Sequence, residues 1–221
     1  MIFDELGLPK DVGATDKMDS ARLAGLMVLF DYNAESIDLM KYIKYDENGV
    51  VVAMRHPTEE PSNNHKNFTR DQLNCLVAGL KKQGHAETVR KLYYAAKDRG
   101  YRAQNTEADY PGTLKKFPNG ADILAPDTMN HLRICSDLEP KLLGKINLRL
   151  SILFNCKFAP LNEPNQLISV MMMAGPEYVR MWKKYNPQWR TAIRIYWSEG
   201  AGAWRQEPGL AEHMIKVLEQ I

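Results

Sequence analysis

Three observations predict a mainly α protein. Apolar residues recur at helical spacing along most of the chain, Pro and Gly cluster between those stretches, and a single β-branched run, Val50-Val51-Val52-Ala53-Met54, interrupts them. Strands and helices do not alternate. The expectation is therefore a single all-α domain over residues 1–221, with a looser N-terminal part over 1–66, about eight or nine helices, and at most one short β-ribbon near residues 42–54. At 221 residues and 44% apolar content the chain can bury a core of its own.

Residues 1–18, broken by Gly7, Pro9 and Gly13, read as a lead-in too short for a regular element. Asp19 caps a helix through Phe30, with Leu23, Leu26, Met27 and Phe30 on one face. A second runs from about Ala34 to Tyr45 and carries Ile37, Met40 and Ile43. It is shortened if residues 42–45 pair across Asp46-Glu47-Asn48-Gly49 with the β-branched run. Residues 55–66 form the most polar loop, held extended by Pro57 and Pro61.

The densest local signal follows. Thr69 sits at an N-cap position and Gln72, three residues on, completes a capping box, while Phe68 and Leu73 are spaced to close a hydrophobic staple. Leu73, Leu76, Val77 and Leu80 continue one helical face, Lys81 and Lys82 suit the negative end of its dipole, and Gly84 ends it. From His85 to Arg99 the face is Val89, Leu92, Tyr93 and Ala96, closing on Gly100. Residues 69–100 thus read as an antiparallel helical hairpin.

After a second long loop over 101–120, Asp127 caps a helix from Thr128 to about Asp137. Glu139-Pro140 opens a long one through Phe154, with Leu142, Leu143, Ile146, Leu150 and Leu153 as core candidates. Residues 165–174 read as a buried helix, since Leu167, Ile168, Val170, Met171, Met172 and Met173 cover almost all of it. Pro176 starts another, which Asn186-Pro187 ends. Trp189, Ala192, Ile193 and Tyr196 share a face of the next, and after Gly200-Ala201-Gly202 a last amphipathic helix spans 208–221.

Composition narrows the function classes. The formal charge of +2 makes no bulk electrostatic case for nucleic acid or an anionic membrane. Its distribution is uneven: residues 1–60 carry 6 Lys/Arg against 12 Asp/Glu, and residues 61–221 carry 23 against 15, so the basic part lies against the acidic part or faces an acidic partner. Cys75, Cys135 and Cys156 are odd in number and far apart, which fits reduced thiols. The acidic start, Met1-Ile2-Phe3-Asp4-Glu5-Leu6, is not a secretory signal, and no apolar window reaches membrane-spanning length.

Three groups are candidates for chemistry. In the polar loop and the helix start after it, His56, Glu59, Glu60 and Asp71 are candidate acid–base residues, with Arg55, Asn64 and Arg70 as binding residues; the alternative is a solvated loop whose polar groups cap the helix. His131, near Asp127 and Asn130, is a candidate base if it faces a cleft. All four tryptophans lie in the C-terminal third, interleaved with cations. Trp189 fits the core by spacing, and Arg190, Arg194, Trp197 and Trp204 are candidates for binding. No nucleophile elbow, phosphate loop, dinucleotide fingerprint or metal motif is present, so no cofactor and no metal is assigned.

At Arg55-His56-Pro57, Asn67-Phe68-Thr69-Arg70-Asp71-Gln72 and Gly120-Ala121-Asp122-Ile123-Leu124 the sequence resembles uncharacterised proteins encoded by tailed bacteriophages. The resemblance implies a phage product, in the virion or in the cytoplasm of the infected cell, and implies no activity. The expectation is a helical protein that binds a protein partner or a second copy of itself, as a virion component or host-directed accessory factor. The alternative is a hydrolase or lyase acting on a glycan or other polymer, with His56, Glu59, Glu60, Asp71 and His131 gathered in a groove.

Overall fold

A computed structural model of the chain describes residues 2–10, 20–45, 48–58, 70–98, 100–101, 124–161, 164–195, 197 and 208–221. Among these residues the fold is mainly helical, with nine α-helices. They are α1 (Ser20–Leu29), α2 (Arg70–Lys82), α3 (Ala86–Asp98), α4 (Pro126–Cys135), α5 (Leu142–Phe158), α6 (Pro164–Ala174), α7 (Pro176–Tyr185), α8 (Trp189–Arg194) and α9 (Pro208–Glu219). One contiguous cluster of buried apolar side chains runs from Leu8 to Leu218 and draws on every one of these helices.

The centre is the crossing of α1 and α2. All ten residues of α1 are buried, as are residues 72–80 of α2. Two glycines make the approach possible. A Cβ on Gly25 would lie 2.7 Å from Leu76 N and closer still to the Cys75 carbonyl; one on Gly79 would lie 2.9 Å from Gly25 O and 2.6 Å from Leu39 Cδ1. Backbone therefore packs on backbone, and neither helix can keep a polar side. α2 also packs against α3, α4 and α6. It stops where expected, with Gly84 at φ 86°, a left-handed conformation that costs glycine little, and α3 follows at once. The hairpin over 70–98 is present, while its cap residue Thr69 lies outside the described residues.

Ile43–Tyr45 (β3) pairs antiparallel with Val51–Ala53 (β4), Lys44 opposite Val52. The ribbon takes the second half of the helix expected over 34–45. Only a 3-10 turn, Leu39–Tyr42, remains, capped by Asp38 Oδ1 accepting from Met40 N at 2.9 Å. The lead-in is more regular than its sequence suggests: Ile2–Phe3 (β1) and Pro9–Lys10 (β2) form a second, two-residue ribbon. Asp4 closes its turn, because one carboxylate oxygen accepts the backbone N–H groups of Leu6 and Leu8, each at 2.9 Å.

Two helix starts shift. Ala125, not Asp127, is the N-cap of α4, with Pro126 at the first helical position; Asp127 sits in the first turn. α5 begins at Leu142 and runs to Phe158, past the expected end at Phe154.

The largest correction concerns the face α5 buries. Leu142, Leu143, Ile146, Leu150 and Leu153 are exposed, and Gly144, Leu148 and Ile152 are buried instead. These three lie four residues apart along one ridge. Gly144 lets that ridge sit close to α4, where a Cβ would come within 2.8 Å of Pro126 O. Asn130 fixes the approach by accepting Lys141 N at 2.6 Å. The helix thus turns its smallest ridge inward and its largest side chains outward.

Candidate functional site

α5 carries two apolar stripes, and only one reaches the core. The other consists of Leu142, Leu143, Ile146, Leu150, Leu153, Phe154 and Phe158, exposed by 42 to 73%. At 100° per residue these positions fill the side of the helix opposite Gly144, Leu148 and Ile152. The exposed area is on the order of several hundred Å², the range in which an apolar patch marks an interaction site. Two exposed cations border or interrupt it, Arg149 and Lys157; Lys141 and Lys145 are exposed too but fall on the side of the Gly144 ridge, where Lys145 shares a pocket with Asp137, Glu139 and Glu177. Arg149 lies over the Tyr178 ring and Lys157 over Phe158, 5.9 and 5.1 Å from the ring centroids. No Asp or Glu occurs between Glu139 and Glu163, and among the described residues none of the four cations is ion-paired.

Beside this face a groove of about 740 Å³ runs between α5, the start of α4, α6 and α2. Leu150, Phe154, Phe158 and Leu167 supply apolar lining, Lys157 adds a cation, and the other polar residues are Asn74, Asp127, Thr128, Asn147, Ser151 and Asn155. Most of those are held. Asn147 Oδ1 accepts Asp127 N at 3.2 Å, Ser151 Oγ donates to Asp127 Oδ2 at 3.1 Å, and Asp127 Oδ1 accepts Thr128 N at 2.9 Å. Asn155 accepts from Trp182 Nε1 at 3.3 Å and donates to Ala159 O at 3.1 Å. Asn74 differs. It is buried, at 2% exposure, and its Oδ1 has no hydrogen-bond partner among the described residues. A buried acceptor left without a donor costs about 1–3 kcal/mol.

The sequence-predicted residues divide between three places. His56 is buried where the chain leaves β4: its Nε2 lies 2.6 Å from Asp4 Oδ2 and its Nδ1 2.9 Å from Thr58 Oγ1, so it ties β4 to the N-terminal ribbon. Burial pushes the Asp4 carboxyl up, but hydrogen bonds from Leu8 N–H, His56 and Leu6 N–H outweigh it and hold the pKa below 3.8. Arg55 is buried beside it, and its carbonyl accepts Ala21 N at 3.1 Å, linking the strand to α1. Arg70 and Asp71 form the first turn of α2; their side chains, with Glu59, Glu60 and Asn64, lie outside the described residues.

His131 is fully buried, and its Nε2 lies 2.9 Å from Asn74 O, within one turn of Asp71 on α2. Burial lowers its pKa from 6.5 to about 4, so the ring is neutral near pH 7 and Nε2–H donates to the carbonyl. Its Nδ1 faces the thiol of Cys135 at 3.7 Å, which burial in turn pushes up. With no exposed surface the ring works as a bridge between α4 and α2. Among the described residues no three His, Cys, Asp or Glu side chains are grouped to hold a metal ion.

In the C-terminal part Trp182, Trp189 and Trp197 are all buried. Arg190 donates to Glu219 at 2.8 Å, and Arg194 makes a two-point contact with Glu212 at 2.6 and 3.1 Å, so both arginines fasten α8 to α9. Trp204 lies outside the described residues.

The chain matches no family model, no curated protein and no solved structure. No helix among the described residues is long and apolar enough to cross a membrane. Sequence reasoning missed the outward face of α5 and the groove beside it. The available signal was the second ridge, Gly144, Leu148 and Ile152: where two apolar stripes share one helix, one is left over.

Proposed function

We propose that this chain acts by binding a protein partner, and that the occupant of the outward face of α5 is an amphipathic helix whose apolar stripe is flanked by Asp or Glu. The observation that carries this reading is the row of seven large apolar side chains exposed on a helix 17 residues long. A second helix laid along it removes that area from water at about 25 cal/mol per Å², and apolar contacts at i, i+3, i+4 and i+7 suit such a groove. Charge selects the kind of helix. Arg149 and Lys157 favour an acidic border and oppose a basic one, a preference that steers partners more than it adds affinity. A second copy of α5 would bring the same apolar stripe but set cations against cations. In this reading the protein is a phage-type virion component or host-directed factor, which the likeness at 55–57, 67–72 and 120–124 supports. The polymer-hydrolase alternative has less behind it, because His56 and His131 are both buried in structural hydrogen bonds.

The test is a yeast-displayed library of random 20-residue peptides, selected on the whole protein and counter-selected on Leu150→Glu/Phe154→Glu. Enriched peptides are expected to show an apolar helical period with Asp or Glu on its flanks and to lose the double variant. Peptides without acidic residues, or peptides indifferent to the two substitutions, overturn the proposal. Sedimentation equilibrium covers self-association: a dimer that Leu150→Glu dissolves places a second copy on this face instead of a foreign helix.

A further inference from the structure

Resting on that reading, we infer that the groove beside α5 is an anchor subsite for one carboxamide side chain of the bound helix, a glutamine, received by Asn74. The groove shares Leu150, Phe154 and Phe158 with the apolar face, so a helix seated on the face also covers the groove. Asn74 lines it, and its Oδ1 is a buried acceptor with no partner among the described residues, while the neighbouring Asp127, Asn147, Ser151 and Asn155 are engaged with one another or with nearby backbone. A helix spends its backbone N–H groups internally, so the missing donor has to come from a side chain.

The surroundings limit which side chain. A carboxylate could pair with Lys157, which also lines the groove, but when ionised it offers no donor to Asn74 Oδ1 and would meet Asp127. An ammonium or guanidinium would have to shed its water beside a carboxylate whose two oxygens already accept Thr128 N and Ser151 Oγ. A carboxamide carries donor and acceptor on one uncharged head, and two carboxamides bond reciprocally, so no new orphan is created. Reach favours Gln over Asn. Packed helices keep their axes roughly 8–10 Å apart, and the floor lies below the α5 face, so the longer stem is required. A single buried polar pair in an apolar helix contact fixes register as well as affinity.

Two arms test this. In the first, heteronuclear NMR follows the Asn74 side-chain amide and the groove residues during titration with butyramide, and separately with 2-pentanone, which has the same number of heavy atoms but no N–H. Butyramide is expected to bind at least five-fold more tightly, and Asn74→Leu to abolish the difference. Equal binding of the two probes overturns the subsite whatever happens at the α5 face. In the second arm, peptides from the library selection are expected to carry Gln at one fixed position of the apolar stripe. Replacing it by Leu should weaken binding to the wild type by ten-fold or more and leave binding to Asn74→Leu unchanged. If butyramide binds selectively but the peptides show no Gln dependence, the groove serves a free small amide and the assignment to the partner helix falls. Loss of all Leu150- and Phe154-dependent peptides marks failure of the docking reading itself. Asn74→Leu also has a readout in the free protein. Removing an orphaned acceptor should raise its melting temperature, so the variant that loses the anchor is the more stable one. A lower melting temperature would show that Asn74 is satisfied in solution and remove the premise.

Discussion

α1 and α5 are both rich in apolar residues and end in opposite surroundings. All ten residues of α1 are buried, whereas α5 buries three of its 17 and turns its largest side chains outward. Glycine placement makes the difference. Gly25 and Gly79 face each other, so α1 sinks onto α2 until no side of it is left for water. Gly144 does the same for one ridge of α5, and the close approach it allows rotates the wider Leu and Phe stripe away from the core. An apolar stripe therefore tells that a helix has something to cover, while the position of the smallest residue decides what covers it. α1 is covered by its own chain, and α5 is left with a face for another.

The sharpest way to break this comparison is to fill the crossing. In Gly25→Ala the new methyl group has only backbone of α2 to displace, the Cys75 carbonyl and Leu76 N, and backbone does not swing aside as a flexible side chain does. The expected loss is about 3 kcal/mol or more, at or beyond the upper end of the usual range for overpacking. A shift in the urea midpoint at unchanged slope measures it. A loss under about 1 kcal/mol would mean that the two helices can part, and that α1 is not the buried element described.

Acid comes next. His131 bridges α4 to α2 as a neutral ring, with a folded pKa of about 4 against 6.5 when free. Between these values the unfolded chain takes up a proton that the folded one refuses. Stability therefore falls as pH drops from 6.5 towards 4, by about 3 kcal/mol when the window is crossed. Asp4 acts lower down: its carboxyl is held below 3.8, so the stability it lends is present above that value and fades as pH falls through it. Urea unfolding at a series of pH values should show the first loss, and His131→Gln should flatten it while leaving the second. A curve flat between pH 6.5 and 4.5 in the wild type would place His131 in contact with water.

How much of this was legible depended on whether a local signal had a tertiary competitor. The hairpin over 70–98 was readable because capping, periodicity and Gly84 agree within a few residues of each other. The span expected as a helix over 34–45 carries the same kind of spacing, but Tyr42, Ile43 and Tyr45 also suit a strand, and pairing with Val51–Ala53 prevailed. The five leucine and isoleucine positions over 142–153 do form one stripe, but it faces outward, since nothing in their periodicity distinguishes a core from an interface. His131 and Trp197 looked chemical because of their residue types; burial, which the sequence does not display, makes them structural. Asn74 stood in plain view between Leu73 and Cys75, but an orphaned oxygen becomes visible only when every neighbour has been placed.

The finest cut falls within α5 itself, between two leucines two residues apart. Leu148 is 3% exposed and Leu150 is 59% exposed, so they share helix propensity and residue type and differ only in which ridge they belong to. Leu148→Ala removes buried methyl groups and leaves a cavity against α4, an expected loss of about 2–4 kcal/mol. Leu150→Ala removes mostly atoms already in water and should stay within about 0.5 kcal/mol of the wild type. Thermal or urea unfolding of the two variants side by side gives the answer without any partner. If Leu150→Ala costs as much as Leu148→Ala, the outward stripe is covered within the chain itself, and α5 offers no free face to a second helix. If it costs nothing while abolishing the capture of acid-flanked peptides, the stripe serves recognition and not folding.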